Sequence, residues 1–181
     1  MSWHLHTPHT QDPKLGKIVS VYLNEDKTLV KRYFLPNGIT THGRPTNETP
    51  EYIEEKWHNE VSAVTQFEGF SWVPGLVEIN QSEKYIIQDY YGPCLLNQPF
   101  EDIPNLHKQI IDIYTHLKEI DVYKLNGSLA NSTRNGDTLV MFDFKYMQPR
   151  TKAIKKYAIR EIDEWLYKFG NEIVPKLKDL V

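Results

Sequence analysis

Asn131 and Asp143 carry the oxygen-bearing side chains that suit a metal ion, and the sequence between them predicts a β-hairpin. A short strand-like run leads to a turn at 135–137, and an apolar run, Thr138–Phe142, follows it. Asn-Gly between two such runs is a strong hairpin signal, because both central positions tolerate positive φ. This hairpin would bring Asn131 and Asp143 to one end of the sheet. Amide and carboxylate oxygens there suit Mg²⁺, which takes few protein ligands and completes its shell with water and phosphate.

The position of Asp143 also has a purely structural interpretation. An acid at the end of an apolar strand is costly to bury unless it is paired or holds a metal. A buried aspartate that caps a turn meets the same requirement without any ligand, and structural acids at strand ends are common. The hairpin by itself therefore leaves both interpretations open.

The elements that would position these residues begin with an antiparallel sheet and one helix in the first half of the chain. Alternating, β-branched runs are typical of strands. They occur at Gly16–Leu23, at Thr28–Leu35, within Phe70–Ile79 and at Tyr85–Tyr91. After a Gly- and Pro-rich loop at Pro36–Pro50, helical periodicity predicts a helix over about Glu51–Phe67. Thr49 is its candidate cap, and Pro50 suits its first turn.

Two charged residues in this half, Lys31 on a predicted strand and Glu60 on the predicted helix, are placed to form an ion pair between these elements. Lys31 lies on the second predicted strand, and Glu60 lies beside the apolar stripe of the predicted helix. A lysine with a packed stem and its head in a cleft would meet an acid placed at the edge of that stripe. The alternatives are a solvated strand lysine and an ordinary boundary glutamate.

The second half of the chain is predicted to be mainly helical. A helix is expected over Ile103–Ile120, and the amphipathic stretch Thr151–Val181 is expected to form two helices broken at Gly170 and Pro175. The fold class is therefore α+β, with an N-terminal antiparallel sheet and a reduced helical part that carries the β-hairpin. We predict a flexible polar arm at 1–13, a first lobe at 14–95 and a second lobe at 96–181.

Composition narrows the classes of function. The 181 residues are 40% hydrophobic and 25% charged, with a net charge of −3, as in a soluble globular protein without the basic surface of a non-specific nucleic-acid binder. The single cysteine, Cys94, excludes an internal disulfide and a cysteine-based zinc site. No apolar run approaches membrane-spanning length. We therefore expect a cytoplasmic protein with neither nucleic acid nor membrane as partner.

The order and spacing of these elements resemble the protein-kinase-like fold from Gly16 to roughly Met147. The resemblance is carried by five segments. They are Thr28–Lys31 (similar to the lysine strand), Asn59–Val61 (the acidic helix position), Tyr85–Leu95 (the hinge strand), Asn126–Asn131 (the catalytic loop) and Asp143–Lys145 (the DFG segment).

The resemblance implies roles for the residues singled out above and for the hinge. Lys31 would hold the α- and β-phosphates of ATP, with Glu60 as its partner. The backbone at Asp89 and Tyr91 would bind adenine, with Gln88 at the back of the pocket. Asn131 and Asp143 would be the two Mg²⁺ ligands. ATP and Mg²⁺ are thus the implied cofactors.

The sequence departs from the family pattern at several of these positions. Asn126 replaces the acid that accepts the substrate hydroxyl proton; an amide orients a hydroxyl but takes no proton at neutral pH. The Gly-rich phosphate loop is missing, with only Gly16 near its place, and Lys145 replaces the glycine of the DFG segment. The chain after Asp143 is too short for a full activation segment and the helices that hold peptide substrates.

Three functional interpretations follow. The first is a minimal kinase-like protein that binds Mg-ATP and transfers phosphate to a small or unidentified hydroxyl substrate, with Asn126 and Lys31 as its catalytic residues. Loss of the base need not abolish this transfer, because phosphoryl transfer depends mostly on positioning and charge. The second is a pseudokinase, a nucleotide-binding or scaffold module that regulates a protein partner without catalysis. The third is a small α+β interaction protein that binds no nucleotide.

Overall fold

The computed structural model describes residues 1–6, 18–34 and 49–181, and these residues form an α+β structure. They cluster into two compact units, Met1–Glu68 with Pro74–Tyr90, and Gly69–Val73 with Tyr91–Val181. The predicted loop at 36–48, most of the predicted arm, and the ends of two predicted strands, Gly16 and Leu35, lie outside the described residues.

The first unit contains a five-stranded antiparallel sheet with strand order β1-β2-β3-β5-β4. Its strands are β1 (Trp3–Leu5), β2 (Val19–Asn24), β3 (Leu29–Phe34), β4 (Leu76–Asn80) and β5 (Tyr85–Asp89). The four predicted strands are confirmed as β2 to β5. The additional strand β1 is a correction, since Trp3–Leu5 lies in the segment predicted to be a flexible arm. It pairs with β2 from Trp3 opposite Asn24 to Leu5 opposite Tyr22.

The helix of this unit, α1 (Pro50–Gln66), begins as predicted. The Thr49 side chain accepts a hydrogen bond from the Tyr52 backbone N–H at 3.2 Å, and Pro50 occupies the first turn. Trp57 is fully buried and packs edge-on against Phe34 of β3, with 5.3 Å between ring centroids. The helix therefore covers the face of the sheet to which Phe34 belongs.

The second unit combines helices with two small strand pairs. Its elements are α2 (Leu106–Glu119), β6 (Val122–Lys124), β7 (Ser132–Asn135), β8 (Thr138–Met141), β9 (Met147–Pro149), α3 (Lys152–Glu164) and α4 (Val174–Leu180). Strands β7 and β8 form the predicted hairpin, and β6 pairs with β9. The side chains of Leu117, Leu139, Met141, Ile162 and Leu177 are almost fully buried and belong to its core.

The stretch Thr151–Val181 forms two helices, as predicted. Gly170 lies between them, but Pro175 does not break a helix. Helix α3 ends at Glu164, and a 3-10 turn over Leu166–Phe169 leads to Gly170, whose φ of 135° suits glycine. Pro175 lies in the first turn of α4 and does not break a helix, because the first turn needs no backbone N–H from that residue. Among the described residues, no helix combines the length and apolar character that crossing a bilayer requires.

Candidate functional site

A buried ion pair joins the sheet and the helix of the first unit. Nη1 of Arg32, on β3, donates to Oε1 of Glu60, on α1. Glu60 is fully buried, and Arg32 is 7% exposed. Charges at this depth persist only when they are paired, because their desolvation is expensive.

The strand period explains why Arg32, and not Lys31, meets Glu60. Arg32 and Phe34 are two residues apart on β3 and share the face that α1 covers. Lys31 points from the opposite face, where its ammonium lies 3.5 Å from the centroid of the Tyr85 ring. The predicted Lys31–Glu60 pair is therefore corrected to Arg32–Glu60. A shift of one residue along a strand exchanges its faces, and two adjacent cations made both choices plausible in the sequence.

Glu60 keeps one unused acceptor inside the protein. Its second carboxylate oxygen, Oε2, is buried and has no hydrogen-bond partner among the described residues. Glu60 lies on the buried face of α1 and not beside it, together with Lys56, whereas Val61 of the predicted stripe is partly exposed. The pair is therefore part of the interior and not a surface bridge.

Two of the predicted adenine-binding residues, Gln88 and Asp89, are the last two residues of β5. Gln88 is 2% exposed and lies opposite Val30, so it shares the face of Arg32. The Asp89 backbone N–H donates to the carbonyl of Gly75 at 2.9 Å. In the second unit, the carbonyl of Tyr91 accepts from the Thr133 hydroxyl at 3.3 Å. Adenine binding by Gln88, Asp89 and Tyr91 remains a prediction.

The hairpin of the second unit brings Asn131 and Asp143 to one end, as predicted. Ser132 lies opposite Met141, and the Phe142 backbone N–H donates to the carbonyl of Asn131 at 3.0 Å. Asp143 is the next residue after that contact. The hairpin register thus places the two predicted Mg²⁺ ligands at the same end of the strands.

Asn131 is fixed by the loop that precedes the hairpin. Its Nδ2 donates to the carbonyl of Asn126 at 2.8 Å, and its backbone N–H donates to the carbonyl of Ser128 at 3.0 Å. With Nδ2 engaged in this way, Oδ1 is the side-chain atom of Asn131 that can serve a cation. Asn126 has a φ of 60°, a conformation that asparagine and aspartate tolerate better than most residues.

Asp143 has two lysines around it. Both of its carboxylate oxygens accept from Nζ of Lys145, and its carbonyl accepts from Nζ of Lys124 at 3.1 Å. The Asp143 and Lys145 side chains are 14% and 12% exposed. Asp143 also has a φ of 64°, one of the sparsely populated backbone conformations that concentrate at functional sites.

The donor types at this end of the hairpin fit Mg²⁺. An amide oxygen and a carboxylate are hard oxygen ligands, and Mg²⁺ is commonly held by one or two carboxylates with water and phosphate completing the shell. The described residues contain no group of three or more His, Cys, Asp or Glu side chains that could hold a metal on their own. Asn131 and Asp143 are therefore the residues that would hold the ion, and Lys145 is the cation already on that carboxylate.

Two residues that the sequence did not single out, Glu161 and Tyr114, lie against the loop before Asn131. The backbone N–H of Asn126 donates to Oε2 of Glu161, on α3, at 2.6 Å. Gly127 lies against the hydroxyl of Tyr114, on α2, which is buried without a hydrogen-bond partner among the described residues. Burial raises the pKa of that phenol well above its usual range. The only sequence signal for Glu161 was its place next to Ile162 in the apolar stripe of α3.

Glu161 is expected to make stability depend on pH. Burial raises the pKa of its carboxyl above the ordinary value of 4.5, although the Asn126 N–H and Lys124 act in the opposite direction. The folded state therefore holds this proton more tightly than the unfolded state. The stabilisation is complete below pH 4.5 and is lost as the pH rises through the raised pKa.

Urea unfolding of the wild type and of Glu161→Gln over this pH window measures the effect. We expect the free energy of unfolding of the wild type, relative to the variant, to fall as the pH rises. Asp163→Asn, which changes a half-exposed acid on the same helix, is the control and should show a flatter difference. A difference that rises with pH would contradict the assignment.

No family model and no curated protein sequence matches this chain. Solved structures do match it. The Rio2 kinase–ADP/Mg²⁺–phosphoaspartate complex from Chaetomium thermophilum gives a TM-score of 0.59 at 14% identity, over 97% of this chain and 62% of that one. The bifunctional kinase-methyltransferase WbdD gives 0.62 at 11% identity, over 98% of this chain and 47% of that one. The chain thus spans less than two thirds of either protein, and the likeness shows the fold alone.

Proposed function

We propose, from the protein-kinase-like fold that this chain adopts, that it binds a nucleoside triphosphate such as ATP. The observation that carries the proposal is the buried Arg32–Glu60 pair between strand β3 and helix α1. It reproduces the chemistry of the cation–acid pair that the resemblance implies, at a position one residue from the predicted one. Among the similar proteins, the Rio2 kinase is in complex with ADP and Mg²⁺.

Arg32 has the chemistry to bind a polyphosphate. A guanidinium is always charged and has five N–H donors in a planar fork, the geometry that matches phosphate oxygens, and Nη1 of Arg32 uses one of these donors on Glu60. Lys31 is engaged on the opposite face of the sheet with an aromatic ring. We therefore assign the phosphate-binding role to Arg32 in place of Lys31, with Glu60 as the residue that orients it.

Asn131 and Asp143 supply the cation-binding part of the proposal. They stand at one end of the hairpin and present an amide oxygen and a carboxylate, the ligand types that Mg²⁺ takes in proteins. When bound, such an ion would neutralise part of the charge on the phosphates. In this chain Nζ of Lys145 already contacts that carboxylate, so an ion would reach Asp143 only by displacing it.

A regulatory function without catalysis is favoured by Asn126. Its side chain cannot take a proton from a substrate hydroxyl at neutral pH, and its backbone is held by Glu161 and Asn131. The phosphotransferase candidate is supported by the retention of Asn131 and Asp143. A radiolabelled ATP transfer assay separates the two candidates, since a pseudokinase binds nucleotide without releasing or transferring its γ-phosphate.

Binding of ATP to matched variants of β3 tests the nucleotide proposal. We expect ATP to raise the melting temperature of the wild type and of Lys31→Met, because a ligand that binds only the folded state stabilises it. Arg32→Lys keeps a cation on the correct face and should retain the shift. The double variant Arg32→Met/Glu60→Met removes both charges together and should lose the shift while remaining folded.

Two outcomes would overturn parts of this proposal. Loss of the ATP-induced shift in Lys31→Met, with retention in the double variant, would return the phosphate-binding role to Lys31. Absence of any shift in the wild type at millimolar ATP, with or without Mg²⁺, would remove the nucleotide proposal and leave the interpretation as a protein-interaction module.

A further inference from the structure

The ammonium group of Lys145 contacts the carboxylate of Asp143, the group to which a divalent cation would bind. This single ammonium group contacts both Oδ1 and Oδ2 of Asp143. Any cation that bound these two oxygens would have to displace it. The side chains of Lys145 and Asp143 are only 12% and 14% exposed, so solvent screens their attraction much less than that of a surface ion pair.

The surroundings of Lys145 hold it in this place. Its ammonium lies 5.0 Å from the centroid of the Tyr146 ring, a cation–π distance that adds to the attraction of Asp143. A second lysine, Lys124, is 3% exposed, lies 5.0 Å from the centroid of the Phe144 ring and donates to the Asp143 carbonyl. Two positive charges therefore already surround one aspartate, and a dication that approaches them meets repulsion as well as attraction.

We propose that Lys145 is a built-in counter-ion that replaces the divalent cation at Asp143, so that this chain binds nucleotide without Mg²⁺. The inference rests on the proposed nucleotide-binding function. The ammonium supplies one positive charge at the Asp143 carboxylate, and Mg²⁺ binds there only by displacing Lys145. The sequence agrees, because Lys145 stands where the DFG segment has glycine, which carries no side chain that could reach the carboxylate.

Lys145 would thus determine whether a divalent cation binds at Asp143. Mg²⁺ gives up its water reluctantly and needs near-ideal octahedral geometry, so it competes poorly for a carboxylate that a partly buried ammonium already contacts at both oxygens. A neutral side chain of similar length at position 145 would remove the positive charge from both oxygens. We therefore expect Lys145→Gln to gain affinity for divalent ions, and we expect the wild type to have little.

Direct metal binding tests this without nucleotide. Titration with Mn²⁺, followed by electron paramagnetic resonance of the free ion, should show weak binding by the wild type and at least about tenfold tighter binding by Lys145→Gln, which corresponds to ~1.4 kcal/mol. Adding Asp143→Asn to Lys145→Gln should abolish the gain. Lys155→Gln removes the same charge from an exposed position on α3 and should behave as the wild type.

Nucleotide affinity gives a second test that needs no variant. Calorimetric titration of the wild type with ATP should give the same dissociation constant in EDTA and in millimolar Mg²⁺. A dissociation constant that improves at least about tenfold with Mg²⁺ would overturn the proposal. So would Mn²⁺ binding by the wild type that is as tight as that of Lys145→Gln. If ATP does not bind under either condition, the proposed function fails, and the Mn²⁺ titration still decides the role of Lys145.

Discussion

Glu60→Leu is expected to lower the free energy of unfolding by about 3–5 kcal/mol, the cost of removing one partner from a buried ion pair. The variant takes away the carboxylate to which Nη1 of Arg32 donates in the interior of the first unit. Leucine is similar in size to glutamate, so the effect reports mainly lost charge pairing and not a large cavity. Urea unfolding followed by circular dichroism measures it.

The double variant Arg32→Met/Glu60→Leu separates pairing from burial. Replacing both partners of a buried ion pair by apolar residues is often neutral or stabilising, so the double variant should be more stable than Glu60→Leu alone. Glu51→Leu, at an exposed acid in the first turn of the same helix, should change the free energy of unfolding by less than about 1 kcal/mol. A double variant less stable than the single one would show that Arg32 contributes through contacts other than Glu60.

Gly127→Ala is expected to destabilise the protein by about 1–3 kcal/mol through overpacking. A Cβ added at Gly127 would collide with the hydroxyl oxygen of Tyr114, whereas the next nearest atoms, on Leu166 and on the Tyr114 ring, are 3.7 Å away. The collision thus depends on one oxygen. That oxygen also lacks a hydrogen-bond partner among the described residues, which by itself costs stability.

Tyr114→Phe should therefore be neutral or stabilising and should relieve most of the cost of Gly127→Ala in the double variant. The measurement is a double-mutant cycle by denaturant unfolding, in which the two substitutions couple favourably. Tyr123→Phe changes another buried tyrosine of the same unit and should leave the cost of Gly127→Ala unchanged. Equal costs in the wild-type and Tyr114→Phe backgrounds would contradict the predicted collision.

Features with a local cause were predictable from the sequence. The hairpin that carries Asn131 and Asp143 follows from an Asn-Gly turn between two strand-like runs, and the start of α1 follows from Thr49 and Pro50. Both signals act within a few residues, so tertiary contacts do not change them. The protein-kinase-like fold followed from the order of such elements, and the similar solved structures agree with it.

Features that depend on which side of a strand or helix faces the interior were harder to predict from the sequence. Lys31 and Arg32 are adjacent cations, and only the packing of Phe34 on Trp57 identifies the face that α1 covers. The strands β1, β6 and β9 span three residues each, too few for an alternating pattern to appear. The contact of Lys145 with Asp143 depends on side-chain direction after a residue with positive φ, which composition does not reveal.

The loop at Asn126 keeps its shape independently of the side chain at that position. Its N–H is held by Glu161, its carbonyl is held by Asn131, and its φ of 60° suits asparagine and aspartate alike. Asparagine and aspartate codons differ by one nucleotide. In evolutionary terms, one nucleotide change at this codon thus alters whether the side chain can accept a proton and leaves both backbone contacts of the loop in place.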